Sequence, residues 1–375
     1  MTDFVLPRRD RWLLPLISAL TVIGMLAVAE VASRVLYPEQ LADSCKVPDP
    51  EVGVHYKPNC TATLKAAEGP WVTSHYNALG NRAEMSWAPY PPGTKRVAVV
   101  GTSVAQGYLL AYEQTTGATL ARDLTQACHA PVEAPNIGVN GFLANRLVRR
   151  VQDALELKPQ AILLMFVSHD LLSLTANAPA NAAELDAPVK QEYSPLRRLV
   201  SAVRSSRAVT VAQHFIVRNP ALYIPLYLKN GDTSDFLRLP FKQLWRERLE
   251  AFSVLLGRLS EITRAAGVPL AMVYVPQEAQ SVLAQQSSFL PDIDPFALGA
   301  AVGKLADKYD IVYHDATADF SVLSNPQDAY YAVDGHISGA GQVIIGDNLA
   351  RLFIKDIPAF AKCTPPTLAA ATGKP

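Results

Sequence analysis

From Lys95 onward the chain alternates short apolar runs with amphipathic stretches, and this rhythm restricts it to a parallel sheet covered by helices on both faces. The predicted strands are Arg96–Val100, Glu133–Ile137, Ala161–Phe166, Pro269–Val275 and Ile311–His314. Each is a short run of buried type bounded by turn residues. Apolar residues at i, i+3 and i+4 predict helices over Thr115–Cys128, Phe142–Leu157, Leu239–Ala266, Pro295–Lys308 and Ser338–Ile354. Gly267 and Pro269 stop the third of these before a strand. Residues 171–238 break the rhythm and read as an insertion. It holds an Ala- and Pro-rich linker, Thr175–Pro188, then a basic amphipathic piece, Leu196–Val217, with Arg197, Arg198, Arg204 and Arg207. Three readings stand for that piece: a solvated helix face, a helix packed over a site mouth, or a patch touching anionic lipid headgroups.

The N-terminus carries a second constraint. Arg8, Arg9 and Arg11 precede an uncharged, strongly apolar run from Trp12 to Ala29, and Glu30 follows it. Eighteen residues span roughly 27 Å as a helix, close to the roughly 30 Å of a bilayer's hydrocarbon core. The basic flank places the N-terminus in the cytoplasm and the remainder outside. Residues 1–37 are therefore a membrane anchor or, since Ala27-Val28-Ala29 fits a small-residue cleavage pattern, a signal peptide. Both put the body of the protein beyond the inner membrane, in the periplasm or its equivalent. Residues 38–94 read as a lead-in of loops and short strands, 95–360 as the main domain, and 361–375 as a small-residue, Pro-rich tail.

Export makes the four cysteines disulfide candidates. None sits in a zinc-like spacing, and three pairings are open. Cys45 with Cys60 would close a local loop, and Cys128 with Cys363 would tie the tail to the main domain. The 34 basic and 34 acidic residues balance, so the charge footprint of a nucleic-acid binder is missing.

Chemistry is concentrated in two places. In Val97-Ala98-Val99-Val100-Gly101-Thr102-Ser103 a buried strand ends in a small-residue turn bearing a serine, at the sheet edge where α/β folds hold ligands. Backbone N–H groups at the helix that follows can stabilise an oxyanion. In Asp334-Gly335-His336 a carboxylate sits two residues from the histidine best placed by pattern to serve as base. His314-Asp315 is a weaker competitor at a strand end, and His55, His75, His129 and His214 read as structural.

Taken in order, these blocks resemble the SGNH (GDSL-type) hydrolases, in particular the bacterial group with one N-terminal membrane helix and an exported catalytic domain. Gly101-Thr102-Ser103 with Gly107 is similar to the first block, with threonine in the place of aspartate. Asn136-Ile137-Gly138-Val139-Asn140-Gly141 is similar to the second, and Ser168-His169-Asp170-Leu171 to the third, with His169 in the place of an asparagine. Asp334-Gly335-His336 matches the last, and Asn77-Ala78-Leu79-Gly80-Asn81-Arg82 looks like the lead-in that precedes the first block in the exported group.

The resemblance covers roughly 70–360 and is weakest in the insertion. It implies a flavodoxin-like three-layer α/β/α fold and a triad of Ser103, His336 and Asp334. It also implies an oxyanion hole from Ser103, Gly141 and His169. The substrate implied is an O-acyl ester, acetyl foremost, of a polysaccharide or lipid, with either water or a sugar hydroxyl accepting the acyl group. No metal, nucleotide or other cofactor is implied, and no protein partner is indicated. The competing class is an inactive glycan-binding or assembly protein of the envelope. An intact Ser-His hydrogen bond in a donor-lined cavity favours the enzyme over it.

Overall fold

The computed structural model describes residues 7, 9–49, 52–83, 92–141, 146–174, 206–286 and 290–364. Helix α1, Asp10–Leu36, is long and apolar enough to cross a membrane by length and composition, and none of its residues is buried by the rest of the chain. Two small antiparallel sheets follow: β1 (Lys46–Asp49) pairs with β2 (Gly53–Tyr56), and β3 (Cys60–Leu64), β4 (Val72–Tyr76) and β5 (Arg82–Ala83) form the second. The main domain then runs β6 (Lys95–Gly101), α2 (Ser103–Gln106), α3 (Thr116–Cys128), β7 (Val132–Glu133), α4 (Leu147–Glu156), β8 (Ala161–Val167) and α5 (Ser168–Leu171). Helices α6 (Arg207–Val217) and α7 (Pro220–Tyr227) come from the insertion. After them come α8 (Gln243–Ala265), β9 (Leu270–Val275), α9 (Glu278–Ala284), α10 (Ala297–Lys308), β10 (Val312–Asp315), α11 (Thr317–Ser321) and α12 (Gly339–Asp356).

The five strands of the main sheet are all parallel and lie in the order β7-β6-β8-β9-β10. That is the flavodoxin-like order, with its switch point between the first and third strands. Period-two alternation explains the three layers. Ala98, Val100, Ile162, Leu164, Met272 and Tyr274 face a core shared with α4 and α8. Val97, Val99, Leu163, Met165, Ala271 and Val273 face the other, shared with α3 and α12. The segment 38–83 joins this body through its own buried residues: Cys45, Val52, Tyr56, Ala62 and Tyr76 belong to the first core.

Both cysteine pairings named above are present, Cys45–Cys60 and Cys128–Cys363. Several boundaries differ from expectation for local reasons. The strand expected over Glu133–Ile137 is a two-residue ladder plus an isolated bridge at Asn136, because Pro135 has no N–H to give. The helix expected from Leu239 starts at Gln243, since Pro240 disfavours helical geometry in the residue before it. Thr115 and Ser338 are caps, not first helical residues, and Thr115 accepts the Ala118 N–H at 3.2 Å. Residues 142–145 of an expected helix, the Thr175–Pro188 linker, Arg197, Arg198, Arg204 and the tail beyond Thr364 lie outside the described residues.

Candidate active site

Strands β6, β8 and β9 end in register, Gly101 beside Met165 and Val167 beside Val275, so the segments that follow them share one edge of the sheet. Ser103 opens α2 there, beside the switch point. The turn that presents it needs glycine: Gly101 has φ +148°, and a Cβ would sit 2.2 Å from the Met165 carbonyl oxygen. Gly138 is needed as well, since a Cβ would lie 2.5 Å from the Gln106 nitrogen.

Buried polar groups hold this turn from three sides. The Asn136 amide donates to the Ala105 carbonyl at 2.7 Å, and Gln342 donates to Val104 at 2.8 Å. Arg82, 1% exposed, donates to the carbonyls of Gln106 (3.2 Å), Gly107 (2.6 Å) and Leu110. A cation at the carbonyl end of α2 is also favoured by the local dipoles. The last residue of the lead-in motif thus fastens the turn that bears Ser103.

The Asp334-Gly335-His336 loop reaches Ser103 from the far end of the chain. His336 Nε2 lies 2.8 Å from Ser103 Oγ, and His336 Nδ1 lies 2.6 Å from Asp334 Oδ1. The ring of Tyr108 stands 5.1 Å from the imidazole. Glu68 braces the loop, its Oε1 accepting the N–H groups of Val333 (2.8 Å) and Asp334 (3.2 Å) while its Oε2 meets His214 Nδ1 at 2.9 Å. Sequence reasoning missed Glu68. His214, read from the sequence as structural, is the histidine that pairs with this acid. The competitor His314 bonds to Asp319 at 2.6 Å and does not line the Ser103 cleft.

The cleft has a volume of about 800 Å³, and Ser103, Asn140, Gly141, His169, Asp334 and His336 are among its lining residues. The triad and oxyanion-hole residues expected from the resemblance, Ser103, His336, Asp334, Gly141 and His169, therefore all line it. Val217, Tyr223 and Tyr227, from the segment 171–238, also line it. Of the three readings of the basic piece, its described part, Arg207–Val217, fits packing beside the mouth. Gly141 adopts φ +76°. His169 stands exposed at the mouth, and the ring finds no hydrogen-bond partner among the described residues. Partial burial of that ring, with His336 nearby, holds its pKa below the ordinary value, which favours neutral imidazole.

Thr102 has a clear partner. Its hydroxyl donates to Asp170 Oδ2 at 3.1 Å, and the Val167 N–H donates to the same oxygen at 2.9 Å. Threonine in the place of aspartate thus still joins the first block to the third. Desolvation pushes the Asp170 carboxyl up to about 6 despite both donors. Below a pH of about 4 the group is protonated whether the chain is folded or not. Between there and its folded pKa the native state keeps a proton that the unfolded chain has released, so the contribution to stability falls as pH rises through that window. With partial solvent contact the loss is on the order of 2 kcal/mol. Asp170→Asn, whose amide oxygen can still accept both donors, is expected to flatten the decline. Denaturant unfolding of both proteins from pH 4 to pH 7 measures it (~2 kcal/mol), and identical slopes would refute the assignment.

Neither a protein-family model nor a curated protein matches the sequence. Solved structures do. The chain is similar to the lipase/acylhydrolase from Enterococcus faecalis, at 11% identity and TM-score 0.40, over 73% of this chain and 99% of that one. It is similar to a psychrotrophic esterase from Pseudoalteromonas sp., at 13% identity and TM-score 0.37, over 70% and 97%. A catalytic mutant of an acetylxylan esterase from Geobacillus stearothermophilus is similar at 14% identity and TM-score 0.37, over 72% and 97%.

Proposed function

We propose that the chain is an exported SGNH-type serine esterase that cleaves an O-acyl ester, such as an acetyl ester, of a polysaccharide or lipid. The observation that carries this reading is the continuous hydrogen-bonded line from Ser103 Oγ through His336 to Asp334 in an open cleft. Such a line favours chemistry over passive binding, because a retained fold without function has no need of a base within bonding distance of a serine.

Ser103 Oγ attacks the ester carbonyl carbon while its proton passes to His336 Nε2. The carbonyl oxygen becomes an oxyanion, received by the N–H groups of Ser103 and Gly141 and by one ring N–H of His169. Ser103 is the first residue of its helix, so its N–H has no partner within that helix. Collapse of the adduct breaks the C–O bond, and the leaving alkoxide takes the proton from His336. Water, deprotonated in turn by His336, releases the acyl group and restores Ser103. A sugar hydroxyl in place of water would make the same acyl-enzyme a transferase. Asp334 fixes the Nδ1–H tautomer and stabilises the imidazolium. Helix α1 is read as a retained anchor, with the cleft on the outer side of the inner membrane.

Fluorophosphonate labelling of the purified full chain tests the core of this reading. The wild type is expected to label, and Ser103→Ala and His336→Ala are expected not to. A folded wild type that resists the probe would overturn it.

A further inference from the structure

We propose that the α6–α7 hairpin rests on the outer leaflet of the bilayer that α1 enters, so that the membrane surface forms the floor beside the cleft. This builds on the anchor reading above and adds a contact that the catalytic reading does not require.

Three observations converge. First, the hairpin is fastened to α1 where the apolar run ends. Glu30, the first charge after Trp12–Ala29, accepts hydrogen bonds from Ser206 Oγ (2.6 Å), the Arg207 N–H (3.1 Å) and the Ala208 N–H (3.0 Å), capping α6. Arg207 adds an ion pair to Glu39 at 2.8 Å. The hairpin therefore begins at the height where α1 leaves the hydrocarbon.

Second, its outward side is apolar and uncovered. Phe215, Leu222 and Leu226 are 70%, 51% and 53% exposed, and Ile216 adds a further 37%. Leu222 and Leu226 lie on one helix face at i, i+4 spacing. Between Ala208 and Leu228 the only ionisable side chains able to carry positive charge are His214 and Arg218. Both are engaged by acids of the main body, Glu68 at 2.9 Å and Asp328 at 2.7 Å. Exposed Lys229 follows the patch, and Arg207, held by Glu39, precedes it. An apolar face with an exposed basic residue at its edge fits a helix lying in a membrane interface.

Third, other residues of the same hairpin, Val217, Tyr223 and Tyr227, line the cleft. One two-helix element thus borders both the Ser103 cleft and the surface assigned here to lipid. An acyl ester carried in the outer leaflet would enter past Leu222 and Leu226 without crossing bulk water. Continuity with α1 is what selects a bilayer over a protein partner as the occupant.

The four cysteines all lie in disulfides, so single new cysteines can be labelled in the full chain. Phe215→Cys, Leu222→Cys and, as a control on α8, Val254→Cys would carry an environment-sensitive fluorophore. Val254 is 70% exposed and remote from the hairpin in sequence. Each variant, shown to be folded by circular dichroism, goes into nanodiscs of phosphatidylethanolamine and phosphatidylglycerol, with or without a nitroxide-bearing lipid. The expected result is quenching by at least about twofold at both hairpin positions and none at Val254, with aqueous iodide giving the reverse order. Hairpin labels that respond to iodide as the control does would overturn the proposal. A protein occupant would give that outcome. Because the readout needs no turnover, an inert Ser103 would leave it unchanged.

Discussion

His336→Ala is expected to lower kcat on any cleaved ester by about 10⁴- to 10⁶-fold, and Asp334→Asn by about 10⁴-fold. Without the imidazole, Ser103 must attack with its proton in place, and the leaving alkoxide finds no acid. With asparagine at 334 the carboxylate that accepts Nδ1–H at 2.6 Å is gone. The imidazole can then present N–H rather than a lone pair to Ser103, and no anion offsets the imidazolium. Neither change removes a group needed to bind the ester, so KM should move far less than kcat. The three groups act as one unit, and this gives a sharper check than any single number. The Ser103→Ala, His336→Ala double variant should be no slower than the worse single variant. Losses that multiplied instead would mean that the two residues act separately and that the hydrogen-bonded line is not the catalytic device.

The hydrogen-bonded line of Ser103, His336 and Asp334 was legible in the sequence because each half of it is local. A strand, a glycine and a serine fall within a few residues of each other, and Asp334 is two residues from His336. The strands were legible for a similar reason, since each apolar run announces one element and helical connections make neighbours parallel, whereas their lateral order followed only from the resemblance. What supports the site was not legible. Glu68 lies 265 residues from the Val333 N–H that it accepts and 146 from His214, and nothing near Glu68 marks it. Arg82 was visible as part of a lead-in motif, but its acceptors are three main-chain carbonyls, and a carbonyl carries no sequence signature. Thr102 read as a departure from the first block until the fold placed Asp170 within reach of its hydroxyl. The insertion was visible as a break in rhythm. Its docking on Glu30 was not, because an acid at the end of an apolar run reads equally well as a boundary charge.

His169→Ala is expected to lower kcat by about 10²- to 10³-fold, the usual loss when one oxyanion donor is removed. KM should change little, since the ground-state carbonyl oxygen carries far less charge than the adduct. His169→Asn should stay within about tenfold of wild type, because a side-chain amide offers two donor hydrogens where neutral imidazole offers one. The lowered pKa of His169 matters to how the result is read. A neutral ring donates from one nitrogen only, so its tautomer decides whether the N–H meets the oxyanion. No partner among the described residues fixes that tautomer, which places the burden on substrate and bound water. The amide needs no such choice, so His169→Asn should also remove any kcat dependence on pH that comes from this ring. If His169→Ala hydrolyses as fast as wild type, the oxyanion is met by the Ser103 and Gly141 N–H groups alone. The third block would then contribute through Asp170 and its bond to Thr102, and not through the residue before it.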